Sequence, residues 1–122
     1  MILAIETSAT LCSVVFWEDD NILVQYNHNE PMQHARLLGQ LVEKGLAELG
    51  PKADSLSAVA VAIGPGSFTG LRIGLSYAQG FCFGKNLPLV GVSNHQVLAC
   101  QAVAQKEIIF SIIDAQIGRA HV

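Results

Sequence analysis

No run of lysine or arginine occurs in this 122-residue sequence, and its 7 basic residues are outnumbered by 10 acidic ones, for a net charge of −3. A domain that binds nucleic acid by itself presents a basic stripe to the phosphates, so autonomous binding of that kind is a poor reading. Cysteine is scarce as well. Cys12, Cys82 and Cys100 form no CxxC pair, and no histidine stands at zinc-finger spacing from them. That argues against a disulfide scaffold or a structural zinc, and reduced, buried thiols in a cytoplasm fit the odd count better. The opening Met1–Ile5 meets Glu6 at once, too short for a signal-peptide core. No apolar run approaches the ~18 residues that suggest a membrane span. Internal repeats, low-complexity tracts and linkers are also missing.

What the chain does have is apolar mass. Hydrophobic residues make up 51% of it and charged residues 14%, high for one small domain. Either both faces of a sheet are covered, or some apolar surface meets a partner. Ile2–Glu6 reads as a short buried strand. Cys12–Trp17 and Ile22–Tyr26 are rich in β-branched and aromatic residues, and the polar turn Glu18–Asn21 between them makes a hairpin. The first three strands are expected to form an antiparallel meander. Pro31–Leu49 reads as a helix stopped by Gly50-Pro51; its Ala35, Leu37, Leu38, Leu41, Val42, Leu46 and Leu49 spread over about half the helical wheel. Ala58–Ile63 is a continuous apolar run, as in a central parallel strand covered on both faces. A second helix over Leu71–Gly84, a strand over Leu87–Val92, a third helix from Ser93 or Asn94 to about Gln105 and a last strand over Ile108–Ile113 complete the reading.

This order is α/β: a ribonuclease-H-like lobe of the actin-like ATPase (ASKHA) type, βββαβαβα on a mixed five-stranded sheet. Such proteins pair two lobes, so residues 107–116 read as the first strand of a missing second lobe and residues 1–106 as the N-terminal lobe.

The segment Gly64-Pro65-Gly66-Ser67-Phe68-Thr69-Gly70, followed by Leu71-Arg72-Ile73-Gly74, is the most informative. It joins a buried strand to a buried helix. Gly64 and Gly66 permit unusual backbone angles, Pro65 stiffens the turn, and Ser67 or Thr69 can cap the helix. A glycine-rich loop at a helix N-terminus could also bind phosphate. It lacks the Lys-Ser/Thr of a P-loop and the Rossmann spacing, so a structural turn is the preferred reading over a ligand loop.

The second helix carries a positive argument for binding. Ile73, Tyr77 and Phe81 form one apolar stripe and Leu71, Leu75, Ala78 and Cys82 another, leaving a narrow polar band of Arg72, Ser76 and Gln79. Gly74, Ala78 and Cys82 offer a small-residue groove to an approaching helix. The helices of residues 32–49 and 71–84 are expected to lie side by side and meet a like pair in a four-helix interface. The candidate interface residues are Leu38, Leu41, Val42, Leu71, Gly74, Leu75, Ala78 and Cys82.

Several of these motifs, in order, resemble the TsaB (YeaZ) family. GPGSFTGLRIG at 64–74 resembles its signature. Ile2–Ser8 resembles its start, although Asp is commoner there than Glu6. Cys12-Ser13-Val14, His34 before Leu37-Leu38, Ala78-Gln79-Gly80, Leu87–Ser93 and Ile113-Asp114-Ala115 match successive segments. The resemblance spans residues 1 to about 116. It implies a non-catalytic subunit that pairs with a TsaD-like catalytic subunit, or with a second copy, through the two long helices. It further implies recruitment of a TsaE-like ATPase and service, with TsaC, in making threonylcarbamoyladenosine at position 37 of tRNAs reading ANN codons. ATP and a metal are expected in the partner subunits and no cofactor in this chain; tRNA is touched only through the complex.

Residues of this sequence favour the non-catalytic role. TsaD-like subunits carry two histidines four residues apart on the first helix, where one turn sets both on one face. Here His34 is followed four residues on by Leu38, and a lone helix-start histidine reads as a hydrogen-bonding residue rather than a ligand. Phosphate hairpins of the superfamily often read Asp-x-Gly-Thr/Ser, whereas Glu6-Thr7-Ser8-Ala9-Thr10 has no glycine. Glu6, Thr7 and Ser8 are weak nucleotide-site candidates. Glu6 could hold hydrated magnesium; a carboxylate bonded to nearby backbone is the preferred reading. The rival is an ATP-dependent enzyme of the same superfamily, TsaD-like or a small kinase. Ile117–Val122 match nothing in the family and read as a non-native tail: ATC GGA AGA GCA CAC GTC, a common sequencing adapter in frame, would encode them.

Overall fold

A computed structural model describes residues 1–29 and 33–101. The expected strand over 108–113, the segments 107–116 and 117–122, and the first two residues of the expected first helix lie outside them.

Strands β1 (Ile2–Glu6), β2 (Cys12–Glu18) and β3 (Asn21–His28) form the expected antiparallel meander. The hairpin is tighter than the polar tetrad suggests. Only Asp19 and Asp20 stand outside the strands, with φ of 50° and 62°. Two consecutive left-handed residues fit the two-residue turn that matches strand twist, and Asp tolerates them. Asn21 Nδ2 donates to the Asp19 carbonyl at 3.0 Å. A register shift at Phe16/Trp17 lets β3 absorb one extra residue, Leu23.

Helix α1 spans His34–Leu49, with Gln33 as the residue before its first turn. Gly50, with φ 59°, ends it, and a 3-10 turn over Gly50–Ser55 that the sequence reading did not anticipate leads into β4 (Ala58–Ala62). Helix α2 (Phe68–Lys85) begins three residues before Leu71 because Ser67 caps it. Strand β5 (Leu89–Val92) follows, then α3 from Asn94, described to Gln101.

The sheet order is β3-β2-β1-β4-β5, with β1, β4 and β5 parallel. The core lies on one face, where Leu3, Ile5, Val14, Phe16, Val59 and Val61 meet Leu38, Leu41 and Val42 of α1 and Ala78 and Cys82 of α2. The expectation that β4 is covered on both faces holds in part: Val59 and Val61 are buried on one face, and on the other Ala62 is buried while Ala58 and Ala60 are half-buried.

Candidate functional site

Ligands of open α/β sheets bind beyond the carboxyl ends of parallel strands. Here β1, β4 and β5 deliver three segments to that edge: Thr7-Ser8, the loop 63–67, and Asn94 at the start of α3. All the weak nucleotide candidates and the signature loop therefore come together.

They are bonded to one another. The Glu6 carboxylate folds back, accepting from Ser8 N at 2.6 Å and from Ser8 Oγ. Ser8 O accepts from Ser67 N at 2.8 Å. The buried Thr7 hydroxyl donates to the Gly70 carbonyl at 2.6 Å. Ser67 Oγ accepts from Gly70 N at 3.2 Å, capping α2. Asn94 closes the cluster: its Nδ2 donates to Ser8 Oγ at 2.7 Å and to the Pro65 carbonyl at 2.9 Å, while its N–H donates to the Gly64 carbonyl at 2.8 Å. Glycine is required for this closeness. A Cβ on Gly66 would lie 2.7 Å from Ser8 O, and one on Gly70 would strike the Thr7 carbonyl.

A phosphate cradle offers several backbone N–H groups to an anion. The N–H groups of Ser67 and Gly70 are already satisfied inside the protein. The geometry is that of a structural clasp between the β1–β2 turn and the first turn of α2. Phe68 stands exposed, with the Arg72 guanidinium 5.3 Å from its ring centre; Thr69 and Pro65 are exposed too. His34 is buried and its Nε2 lies 3.0 Å from the Ala9 carbonyl, a helix-start hydrogen bond. Among the described residues no group of three or more His, Cys, Asp or Glu is placed to hold a metal.

Asn94 is the member that the sequence reading missed. Only its capping potential was visible, and capping falls instead to Ser93, whose Oγ accepts from His95 N at 3.2 Å while Gln96 Oε1 accepts from Ser93 N at 3.3 Å. The Ser-x-x-Gln spacing of this capping box was the available signal that Asn94 is free for another task.

The candidate partner surface needs correction. Leu38, Leu41, Val42, Gly74, Ala78 and Cys82 are buried in the chain's own core. The small-residue stripe faces the sheet, because Thr7 and Val61 come so close that a Cβ on Gly74 would strike Thr7 Oγ1. Leu71 and Leu75 are half-buried. The consequence is an inverted helix: α2 turns its small residues inward and leaves Ile73, Tyr77 and Phe81 half-buried and Phe83 91% exposed. Tyr77 and Phe81 stack at 6.1 Å, and Tyr77 packs beside Gly39, so α1 and α2 do lie side by side. Burial, with a smaller contribution from Glu43, raises the Tyr77 hydroxyl pKa. A cavity of about 340 Å³ lies on the outer side of α2, lined by Thr69, Arg72, Ile73 and Ser76.

The family model described as "TsaD: tRNA N6-adenosine threonylcarbamoyltransferase" matches residues 28–120. The tRNA threonylcarbamoyladenosine biosynthesis protein TsaB of Escherichia coli is 34% identical over 98% of this chain and 52% of its own length. A tRNA N6-adenosine threonylcarbamoyltransferase of Nitratidesulfovibrio vulgaris is 35% identical over 73% of this chain and 25% of its own. The solved structure of YeaZ from Pseudomonas aeruginosa superposes with a TM-score of 0.75 at 33% identity, covering 85% of this chain and 48% of that one. The chain thus spans about half the length of the TsaB relative and of YeaZ. With the mixed sheet β3-β2-β1-β4-β5 and its two flanking helices, these likenesses settle its kinship: the chain belongs to the TsaB/YeaZ family, a branch of the TsaD-related proteins.

Proposed function

We propose that this chain is the docking lobe of a non-catalytic subunit in the machinery that forms N6-threonylcarbamoyladenosine at position 37 of tRNAs reading ANN codons. In this reading it acts in the cytoplasm and activates a TsaD-like catalytic partner through α1 and α2. A TsaE-like ATPase joins the assembly, and ATP and a metal are held by the partner subunits. The chain reaches tRNA only through the complex and pairs with its own copy when TsaD is absent.

The observation that carries the proposal is the inversion of α2. Ile73, Tyr77 and Phe81 of α2 are only half-buried and Phe83 is 91% exposed, and burying what they leave exposed against another helix pair would stabilise association at roughly 25 cal/mol per Å² of apolar area. The clasp supports the non-catalytic part, since the N–H groups of Ser67 and Gly70 are spent on Ser8 O and Ser67 Oγ. Among the described residues no helix is long and apolar enough to cross a membrane.

The test is co-purification with TsaD from the same organism, comparing the chain with Gly80→Arg. Gly80 is exposed on α2 and a Cβ there would meet nothing within 4 Å, so the substitution leaves the fold intact while placing a charge in the interface. Affinity is expected to fall by about tenfold or more, equivalent to ~1.4 kcal/mol. Unchanged association would overturn the docking role. The likeness to a threonylcarbamoyltransferase favours one rival, an ATP-dependent enzyme; tight ATP binding with metal-dependent turnover by the isolated chain would establish it instead.

A further inference from the structure

The edge of the sheet opposite the clasp holds a second open site, and nothing in the docking role uses it. Beyond the amino ends of β4 and β5, the last turn of α1, the 3-10 turn and the end of α2 converge without closing. They leave a cavity of about 380 Å³ lined by Leu46, Ala53, Asp54, Leu56, Lys85 and Leu87. Its lining is of two kinds. Leu46, Leu56 and Leu87 are half-buried and packed against the core, so they form an apolar floor. Asp54 and Lys85 are exposed and stand at its mouth.

The two charges are uncommitted. Nearby, Glu18 pairs with both Lys52 and the Met1 amine, each at 3.5 Å. Among the described residues no ion pair joins Asp54 to Lys85, or either of them to a third group. The Lys85 ammonium lies only over the Phe81 ring, 5.5 Å from its centre. A single solvated charge needs no partner. Here two of opposite sign, too far apart to pair, border one apolar floor. A molecule that satisfies both carries an anion and a cation close together, with apolar carbon beneath them. It is also small, because the cavity falls at the low end of the ~300–1,000 Å³ usual for ligand sites.

We propose that this cavity binds a free α-amino acid with a branched apolar side chain, of the leucine kind. Its carboxylate accepts from Lys85 Nζ, its ammonium donates to the Asp54 carboxylate, and its side chain covers Leu46, Leu56 and Leu87. A plain apolar acid would leave Asp54 facing carbon, and an apolar amine would do the same to Lys85; a zwitterion answers both. Because Leu46 lies on α1 and Lys85 on α2, the bound amino acid ties the ends of the two helices together.

The test is a titration of the methyl-labelled 122-residue chain with L-leucine, followed by NMR. The methyl signals of Leu46, Leu56 and Leu87 are expected to shift and saturate together, while that of Leu11, exposed at the opposite edge, stays in place. Glycine, a zwitterion without a side chain, should bind at least about tenfold more weakly. Isocaproate lacks the ammonium and isoamylamine the carboxylate, and each should lose about fivefold, the scale of one exposed ion pair. Two substitutions then assign the charges. In Asp54→Asn the penalty for isocaproate should vanish while that for isoamylamine stays, and in Lys85→Met the reverse. Both residues are exposed, so neither change disturbs the fold. Absence of shifts, shifts shared equally by Leu11, or penalties that neither substitution alters would overturn the proposal. Isocaproate binding as tightly as leucine would make the occupant a plain apolar acid and overturn it as well. Failure here leaves the docking role of α2 untouched, because that rests on Gly80→Arg and on TsaD.

Discussion

Helices α1 and α2 lie on the same face of the same sheet, yet they meet it in opposite ways. In α1 the buried residues are His34, Leu37, Leu38, Leu41, Val42 and Gly45, and the outer face carries Arg36, Gln40, Glu43, Lys44 and Glu48. In α2 the inner positions are Gly70, Gly74, Ala78 and Cys82, and the bulk lies elsewhere. Large apolar side chains choose the inner face of α1, with one close approach where Gly45 meets the Phe16 ring; distance chooses nearly the whole inner face of α2. Because the clasp draws the Thr7-Ser8 turn over the first turns of α2, only residues without bulk fit beneath it. A helix pressed that close has to carry its large side chains on its flanks and back, which is where a partner would find them.

If distance governs α2, the largest loss should come from the smallest change there. Gly70→Ala adds one methyl group, but its neighbour is the Thr7 carbonyl, and backbone cannot swing aside as a side chain can. Loss of more than ~4 kcal/mol is expected, read as a collapsed urea midpoint or a chain that no longer unfolds cooperatively. In α1 the corresponding test removes bulk. Leu38 is 1% exposed, and Leu38→Ala should cost about 2–5 kcal/mol while leaving a cooperative transition. Should Gly70→Ala prove the milder of the two, the contrast between the helices is wrong.

The back of α2 gives a smaller effect of opposite sign. Gly80 sits in the helix interior with nothing within 4 Å of a Cβ, so it carries the entropic cost of glycine without an internal reason. Gly80→Ala should stabilise the isolated chain by about 0.5–1 kcal/mol, visible as a higher melting temperature. A loss of stability would mean that something in the chain already fills that space.

The same contrast explains what the sequence disclosed. The meander and the two helices were legible because β-branched runs and a helical period are local properties. The core stripe of α1 was legible in outline because its opposite face is charged. On α2 nearly every position is apolar, so periodicity could not say which side is inward, and Gly74, Ala78 and Cys82 were assigned outward. The answer depends on Thr7, 67 residues before Gly74 in the chain, and no local pattern encodes that distance. Asn94 eluded the reading for the same reason: its partners Ser8 and Pro65 are far away in sequence.

The subtlest way to separate the two helices is through titration. The inner face of α2 ends in Cys82, whose thiol pKa is raised by burial above its ordinary 9.0 and whose Sγ lies 3.8 Å from the Pro88 carbonyl. Across the core, burial likewise raises Cys12. In the unfolded chain both thiols ionise near pH 9, while in the folded chain they keep their protons to higher pH. The native state therefore binds more protons there, and stability must fall as pH rises from about 9 through the folded values. Cys82→Ala keeps the small inner face and removes one titrating group, so the alkaline decline in melting temperature should become shallower, and Cys12→Ala should flatten it further. Leu38→Ala in α1 should lower the whole curve without changing its shape. A slope indifferent to both cysteine variants would show that the alkaline limb is set elsewhere, with Tyr77 the next group to test because its burial between the helices raises it too.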